Sequence, residues 1–340
     1  QDYAKGMQAN LKNHIIPLLP KNIQLSEVTP KLVRDVSDKL LDRGDLSNGS
    51  VAKFTRTLST PLKEAFKQGK ISKDPTSLLE SIDEQSKARG ILTQAEFLAT
   101  LNHMAEIAIE EKSPPHAYLA VKLAASSGMR MSEIFALTTD NIEIMNKRDA
   151  RILIKHAMSK TSEMKIPKGK KERETFITTS LAEELILLAS KNPLGENLIF
   201  WNIKATKSMG PVSSGYVRGK FYEALYDVLD KENGFKERKS VSTGRLDPEG
   251  KEIYAWEYDC TEDEDGNSVR RAELVRRERN IVFHSFRHYY VTKATGSVFD
   301  ESLLRKSVGH SSSAMTDAYT HITEEKARPL LDVARDILGE

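Results

Sequence analysis

The C-terminal third of the chain carries the side chains that most constrain the fold, because they can act together only if separate segments meet. His284 and Arg287 are three residues apart, so both lie on one face of a helix. His310 follows Gly309, and Tyr319 comes nine residues after that histidine. A turn that reverses the chain between them would place the imidazole of His310 beside the phenol of Tyr319.

These side chains suit nucleophilic attack by a tyrosine on a phosphodiester. A phenol has a pKa of about 10, so at neutral pH it needs positive neighbours and a proton acceptor to become a good nucleophile. The transition state carries additional negative charge, which planar arginine side chains stabilise through paired hydrogen bonds. The residues around Tyr319 therefore indicate a phosphoryl transfer that uses tyrosine.

A further arginine lies far upstream and completes a recognisable set of motifs. Arg130 occupies a Gly-x-Arg-x-x-Glu pattern at residues 128–133. Together with His-x-x-Arg-His, Gly-His and Tyr in the C-terminal third, it resembles the signature of the tyrosine recombinase (phage integrase) family in order and spacing. The motifs carry this resemblance over residues 90–335, and helical pattern alone carries it over residues 1–85. The resemblance implies a mainly α fold with a small antiparallel β-sheet (α+β), in which two domains form a C-shaped clamp around DNA.

The same resemblance assigns roles to the matched residues. Tyr319 is the nucleophile, and Arg130 and Arg287 clamp the scissile phosphate. His284 handles a proton near the nucleophile, while His310 hydrogen-bonds the phosphate. The glutamate that ends the upstream motif, Glu133, is a supporting residue that orients an arginine or the backbone.

The family also uses a lysine on a β-hairpin turn to protonate the leaving 5′ oxygen, because an alkoxide leaves poorly. Two lysines compete for this role. Lys160 closely follows the first predicted strand, whereas Lys168 fits a count backwards from the return strand. We predict Lys160 and keep Lys168 as the alternative.

Net charge does not by itself indicate a nucleic-acid-binding protein, since 51 Lys and Arg residues against 49 Asp and Glu residues give +2. Residues 151–173, however, hold a local surplus of basic side chains that could face a phosphate backbone, and the acidic run at 262–265 masks it in the total. The alternative is a solvated hairpin surface. The DNA-contacting residues expected from this stretch are Lys165, Lys170, Lys171 and Arg173.

Several other classes of protein and site are disfavoured. The single Cys260 excludes an internal disulfide and a cysteine-built zinc site. No apolar run approaches the ~18 residues of a membrane span and no secretory signal is present, so we expect a cytoplasmic location. The resemblance implies neither a metal nor ATP nor any other cofactor, because arginine and lysine take the place of Mg²⁺ and the phosphotyrosyl link conserves the bond energy.

The resemblance also implies partners. These are double-stranded DNA with specific recombination sites, a homotetramer on that DNA, and accessory DNA-bending or directionality factors. It further allows an additional arm-binding domain to precede Gln1 in the natural protein. No membrane partner is expected.

The chain is long enough for two domains. The predicted organisation is a helical core-binding domain at 1–85, a linker at 86–90, a catalytic domain at 91–322 and a C-terminal tail helix at 323–340. Residues 233–280 exceed the compact family pattern and are predicted to form a β-hairpin insertion, with a strand over Glu252–Tyr258 and a turn at 265–267.

Apolar spacing and helix signals locate the helices more closely. The helices predicted in the first domain are Tyr3–Ile16, Thr29–Arg43, Ser50–Gln68 and Pro75–Glu84. Ser50 is the predicted N-cap of the third. Thr93 and Glu96 form a capping box that starts the second domain.

Two rival functions remain open on the sequence. One is a type IB topoisomerase or telomere resolvase, which uses the same nucleophile. The other is a catalytically idle DNA-binding accessory protein, against which the complete set of matched residues argues.

Overall fold

A computed structural model describes residues 2–83, 89–159, 162–167, 172–195, 197–203, 210–296, 301–309 and 324–339. The chain divides into two compact units, Gln1–Ala88 and Arg89–Glu340. Among the described residues, none of the helices combines the length and the apolar character that crossing a membrane requires. Helices predominate in both units, and the strands pair antiparallel, which confirms the predicted mainly α class with a small antiparallel sheet.

The first unit is helical. Its described helices are α1 (Asp2–Asn10), α2 (Pro30–Leu41) and α3 (Asn48–Lys67). Helix α1 is followed by one π-helical turn, Leu11–Ile15, and Ile15 is fully buried in a core shared with α2 and α3. Helix α2 starts where Thr29 accepts a hydrogen bond from the Leu32 amide, directly before Pro30, whose missing N–H costs nothing at the first helical position.

Two predictions for this unit are wrong. Ser47, not Ser50, caps α3: its hydroxyl accepts the Ser50 amide at 3.3 Å, so the helix begins earlier than predicted. The helix predicted over Pro75–Glu84 is absent from its described part, residues 75–83. Instead the Asp74 carboxylate accepts both the amide and the hydroxyl of Thr76 at 2.8 Å, which stabilises a turn in place of a helical ladder.

The second unit has more elements. Its helices are α4 (Gln94–Glu110), α5 (His116–Ser127), α6 (Met131–Ile134), α7 (Thr179–Ser190), α8 (Ser214–Glu232), α9 (Arg271–Glu278), α10 (Ser285–Gly296), α11 (Glu301–Val308) and α12 (Glu324–Leu338). Its strands are β1 (Ile142–Ile144), β2 (Asp149–Ile154), β3 (Ala157–Met158), β4 (Met164–Lys165), β5 (Arg173–Thr178), β6 (Lys239–Leu246), β7 (Glu252–Glu257), β8 (Cys260–Glu262) and β9 (Ser268–Arg270).

Helix α5 forms the centre of this unit and is buried along nearly its whole length. A three-stranded antiparallel sheet, ordered β1-β2-β5, lies beside it, and alternate residues of β2 are buried in the common core. The predicted Thr93 and Glu96 capping box is present at the start of α4. The described tail, α12, packs on α5, α10 and β5 of the same chain and buries Leu330 and Ile337.

The insertion contains more than one hairpin. Strands β6 and β7 form a hairpin exposed along its length, and β8 pairs with β9 across the turn predicted at 265–267. The charged segment that follows is helix α9. Arg270, at the end of β9, fixes the base of the insertion to α8 by pairing with Asp227 at 2.6 Å and Asp230 at 2.5 Å.

Gly128 ends α5 in the left-handed region, with φ of +65°. A Cβ atom here would lie 2.6 Å from Cδ1 of Tyr290, so Gly128→Ala adds a clash to backbone strain. We expect it to lower the free energy of unfolding by about 2–4 kcal/mol. Gly234 follows α8 with φ of +66° and open space around it, so Gly234→Ala should cost only about 1 kcal/mol. Chemical denaturation compares the two variants, and equal losses would contradict the close approach at Gly128.

Candidate functional site

The junction between α5 and α6 positions Arg130. Because Gly128 turns the chain, Arg130 becomes the N-cap residue of α6 in an extended conformation. Its amide donates to Oε2 of Glu133 at 2.8 Å, and its Nη1 donates to Oε1 of the same carboxylate at 2.9 Å. The Gly-x-Arg-x-x-Glu motif is therefore a helix start in which the glutamate carboxylate accepts hydrogen bonds from both the amide and the side chain of the arginine.

Glu133 is shared with a second arginine. Its side chain is 1% exposed, and Arg173 at the start of β5 donates Nη1 to Oε1 at 2.9 Å and Nη2 to Oε2 at 2.5 Å. Burial alone would raise the pKa of Glu133, but the hydrogen bonds and charge of Arg173, together with the Arg130 amide, lower it. Glu133 is thus held as a buried carboxylate anion between two guanidinium groups.

Arg287 reaches the same place from α10. Phe286 and Tyr290 of this helix pack in the core, which leaves the Arg287 side chain directed at the end of α5. Its Nη1 donates to the carbonyl oxygen of Gly128 at 2.7 Å, and its Nη2 donates to the carbonyl oxygen of Val308. Burial, and then the charges of Arg130 and Arg173, lower the pKa of Arg287 to about 9, so it remains charged at neutral pH.

The C-terminal end of α11 joins all three arginines. The carbonyl oxygens of three consecutive residues, 307 to 309, each accept a hydrogen bond from a different guanidinium. Nε of Arg173 donates to the carbonyl oxygen of Ser307 at 2.9 Å, and Nη2 of Arg130 donates to the carbonyl oxygen of Gly309 at 3.2 Å. The carbonyl oxygen of Val308 accepts the hydrogen bond from Arg287 described above. A helix C-terminus carries unpaired carbonyls and partial negative charge, so it is a natural partner for cations.

The resulting cluster is positively charged. Arg130 and Arg173 pair with the one carboxylate of Glu133, and Arg287 lies near enough for their charges to affect its pKa. Within the described part of the site, two positive charges are therefore balanced only by carbonyl dipoles. Arg130 is the most exposed of the three, with 27% of its side chain accessible. Such a cluster can bind a tetrahedral oxyanion and stabilise negative charge that develops on it.

His284 lies beside this cluster, immediately before α10. Its ring is exposed and lies 5.3 Å, centroid to centroid, from the ring of His288. Partial desolvation lowers the pKa of His284 to about 4, and His288, Arg287, Arg130 and Arg89 contribute to that lowering through their charges. A histidine that is neutral at pH 7 can accept a proton from a nearby nucleophile.

The structure describes some predicted residues and not others. It brings together Arg130, Glu133, His284 and Arg287. The predicted residues outside the described part of the chain are Lys160, Lys168, Lys170, Lys171, His310 and Tyr319. Lys165 lies on β4, in a two-stranded hairpin with β3, and faces Glu163 at 3.7 Å.

Arg173 is placed differently from what its basic neighbours suggested. Only 9% of its side chain is exposed, because it points at Glu133 and not outward from the hairpin. Nothing in the sequence singled out Arg89, which is exposed, donates to Asn280 at 3.2 Å and adds positive charge near His284 and His288. Among the described residues no group of three or more His, Cys, Asp or Glu side chains could hold a metal ion.

Comparison with known proteins gives a consistent result at the level of the fold. No protein-family model matches the chain, and no curated protein matches it in sequence. Among solved structures, the Tn1549 transposon integrase (residues 82–397) in complex with a circular-intermediate DNA has a TM-score of 0.59 at 16% identity, over 95% of this chain and 92% of that one. A lambda integrase (75–356) dimer bound to a COC′ core site has a TM-score of 0.55 at 20% identity, over 95% and 93%.

A lambda integrase tetramer bound to a Holliday junction is also similar, with a TM-score of 0.53 at 20% identity, over 94% of this chain and 74% of that one. These matches span almost the entire chain, so they include both units. They show that the chain has the fold of tyrosine recombinase integrases, and they confirm at that level the resemblance seen in the motifs.

The unusual environment of His284 generates a prediction about its titration. We expect its ring to titrate near pH 4 in the free protein, below the ordinary value of about 6.5. Because the folded pKa lies below the unfolded one, the folded state binds fewer protons, and this residue reduces stability as the pH falls from about 6.5 towards 4. Inorganic phosphate should raise the pKa, since an anion offsets the neighbouring cations. NMR titration, with the signal assigned through His284→Gln, measures the pKa of His284 with and without phosphate. A pKa near 6.5 that does not change when phosphate is added would contradict this account.

Proposed function

We propose that this chain is a site-specific DNA recombinase of the integrase kind. The observation that supports this most directly is the cluster of Arg130, Arg173 and Arg287 around Glu133, with two positive charges in excess and a neutral His284 beside it. A cluster of this kind binds a phosphodiester and stabilises its transition state. The fold shared with DNA-bound integrases supports the same reaction.

In the proposed reaction the Tyr319 hydroxyl attacks a DNA phosphate. A 3′-phosphotyrosine forms, the P–O5′ bond breaks, and the 5′ oxygen takes up a proton to leave as a hydroxyl. His284 is proposed to receive the phenolic proton, because its ring is neutral in the free protein and a bound phosphate offsets the neighbouring cations and raises its pKa. Arg130 and Arg287 stabilise the charge on the non-bridging oxygens. His310 adds a hydrogen bond to the phosphate, and Lys160 supplies the leaving-group proton.

The strand is rejoined when a 5′ hydroxyl from a partner strand attacks the phosphotyrosine. Neither step consumes a nucleotide, since the covalent link retains the energy of the phosphodiester. Two such exchanges pass through a Holliday junction, and a homotetramer on DNA would bring four sites together. The lambda integrase tetramer on a Holliday junction supports this assembly. The DNA would carry specific recombination sites of a mobile element or phage, and the reaction would take place in the cytoplasm.

The basic stretch gives the proposed protein a second contact with DNA. Lys165, Lys170 and Lys171 are proposed to contact the phosphate backbone, which positions the duplex without reading its sequence. Accessory DNA-bending or directionality factors are proposed as further partners. They would select between integration and excision.

The first test concerns the nucleophile. We expect Tyr319→Phe to abolish the covalent protein–DNA adduct and to leave DNA affinity within about threefold, because backbone contacts elsewhere dominate binding. Candidate attachment-site DNA with a nicked scissile strand traps the adduct, which a denaturing gel detects. Tyr254→Phe, on the exposed β7 strand, is the matched control and should behave like the wild type. An unchanged adduct yield from Tyr319→Phe would assign the nucleophile elsewhere, and plasmid relaxation by a monomer would favour a topoisomerase.

The second test identifies the general acid. Lys160→Ala should cleave slowly on ordinary DNA and recover on DNA whose scissile 5′ oxygen is replaced by sulfur, because a thiolate leaves without protonation. Arg287→Ala should not recover, since its phosphate contact is still missing. Recovery of Lys168→Ala instead would show that Lys168 is the acid. If neither lysine variant recovers, the proton comes from another group and the basic hairpin only contacts DNA.

A further inference from the structure

Arg173 belongs to the cluster but is assigned no step of the proposed reaction, yet it is among the most constrained side chains of the site. Each of its three guanidinium nitrogens is engaged: Nη1 and Nη2 with Glu133, and Nε with Ser307 O at 2.9 Å. The end of α11 also lies close against it, because a Cβ atom on Gly309 would be 3.1 Å from Cδ of Arg173. The fork of Arg173 is therefore fixed between α6 and α11.

We propose that Arg173 is a positioning residue that neutralises Glu133 and so leaves the charge of Arg130 available to the phosphate. This inference rests on the proposed function, since it assumes that Arg130 binds a phosphate. It replaces the outward, DNA-contacting role that the basic stretch suggested for Arg173.

Burial explains why Glu133 needs two arginines. A carboxylate with 1% of its side chain exposed is strongly destabilising unless it is paired and hydrogen-bonded. Arg173 is 9% exposed and pairs in two parallel hydrogen bonds, whereas Arg130 is 27% exposed and contributes one side-chain contact to the same carboxylate. The buried arginine is therefore the main counter-charge, and the more exposed one is the phosphate ligand.

Removal of Arg173 should change the role of Arg130. Glu133 would then keep Arg130 as its only guanidinium partner within the described site, and the carboxylate would draw Arg130 inward and cancel its charge. Phosphate binding and transition-state stabilisation should both weaken. Removal of the Glu133 charge as well should release Arg130 again, so that phosphate affinity and the rate of adduct formation recover together.

The experiment compares Arg173→Gln with the double variant Arg173→Gln/Glu133→Gln. Two quantities are measured below the melting temperature: affinity for inorganic phosphate, by calorimetry, and the rate of adduct formation at saturating DNA. We expect Arg173→Gln to bind phosphate about tenfold more weakly and to form adduct about 10²-fold more slowly. The double variant should recover to within about threefold in affinity and about tenfold in rate, since the remaining glutamine still accepts the Arg130 amide.

A matched control exists where the insertion meets α8. Arg270 and Asp230 form a pair with 7% and 0% of their side chains exposed, close to the 9% and 1% of Arg173 and Glu133. Arg270→Gln and Arg270→Gln/Asp230→Asn should lower the melting temperature without changing phosphate affinity or the rate at saturating DNA. These variants show what the loss of a buried ion pair does to stability alone. Any further change in Arg173→Gln is then due to the position of Arg173 beside the proposed phosphate site.

Three results would overturn the proposal. The first is an Arg173→Gln variant within threefold of the wild type in both quantities. The second is a double variant no better than Arg173→Gln, which would make Arg173 structural only. The third is weaker DNA binding with a salt-dependence slope reduced by about one, which would make Arg173 a DNA contact.

Two complications have their own readouts. If Arg173→Gln does not fold, the double variant decides, because it leaves no buried carboxylate without its main counter-charge; a phosphate affinity more than tenfold below that of the wild type would contradict the proposal. If the wild type forms no adduct, the proposed function fails by itself, while the phosphate measurements still test Arg173.

Discussion

The site depends on one buried charge, the carboxylate of Glu133. An ion that is 1% exposed needs partners of opposite charge close by, and the chain supplies Arg130 from the same helix start and Arg173 from β5. Arg173 also bonds the carbonyl of Ser307, so the same network fixes the end of α11. The start of α6, the start of β5 and the end of α11 are far apart in sequence. They are held together because each supplies a hydrogen-bond or ion-pair partner to this carboxylate or to its arginines.

The network leaves the site short of negative charge. Arg287 is buried among other cations and is held by carbonyl oxygens of Gly128 and Val308, and its pKa is lowered to about 9. A lowered pKa means that the charged form is less stable here than in water. A phosphate bound here, as proposed, would offset this penalty, so the arrangement that lowers the stability of the free protein would favour binding of an anion. Carbonyl dipoles at the end of α11 are weaker partners than a phosphate, so an incoming anion can compete with them for the guanidinium groups.

Local motifs made part of this site predictable. Arg130 and Glu133 are three residues apart and interact across one helical turn, and the capping box of Thr93 and Glu96 was predictable for the same reason. The pairing of Arg173 with Glu133 could not be predicted, because the two residues are 40 positions apart and the basic neighbours of Arg173 suggested an exposed surface. Apolar spacing after residue 75 predicted a helix. The structure has a turn there, because the Asp74 carboxylate accepts hydrogen bonds from the amide and hydroxyl of Thr76.

The insertion shows why a buried arginine–carboxylate pair is not by itself evidence of a functional site. On α8 and the insertion, the carboxylates of Glu223, Asp227 and Asp230 are matched by the cations of Lys220, Arg238 and Arg270. Lys220 also pairs with Glu111, so that network has no excess of lysine and arginine over carboxylates; it fixes the insertion to its helix and leaves no positive charge for a further anion. The cluster around Glu133 uses the same chemistry at nearly the same depth but retains an excess of guanidinium groups. That residual charge, and not the presence of ion pairs, is what distinguishes the cluster as the proposed anion-binding site.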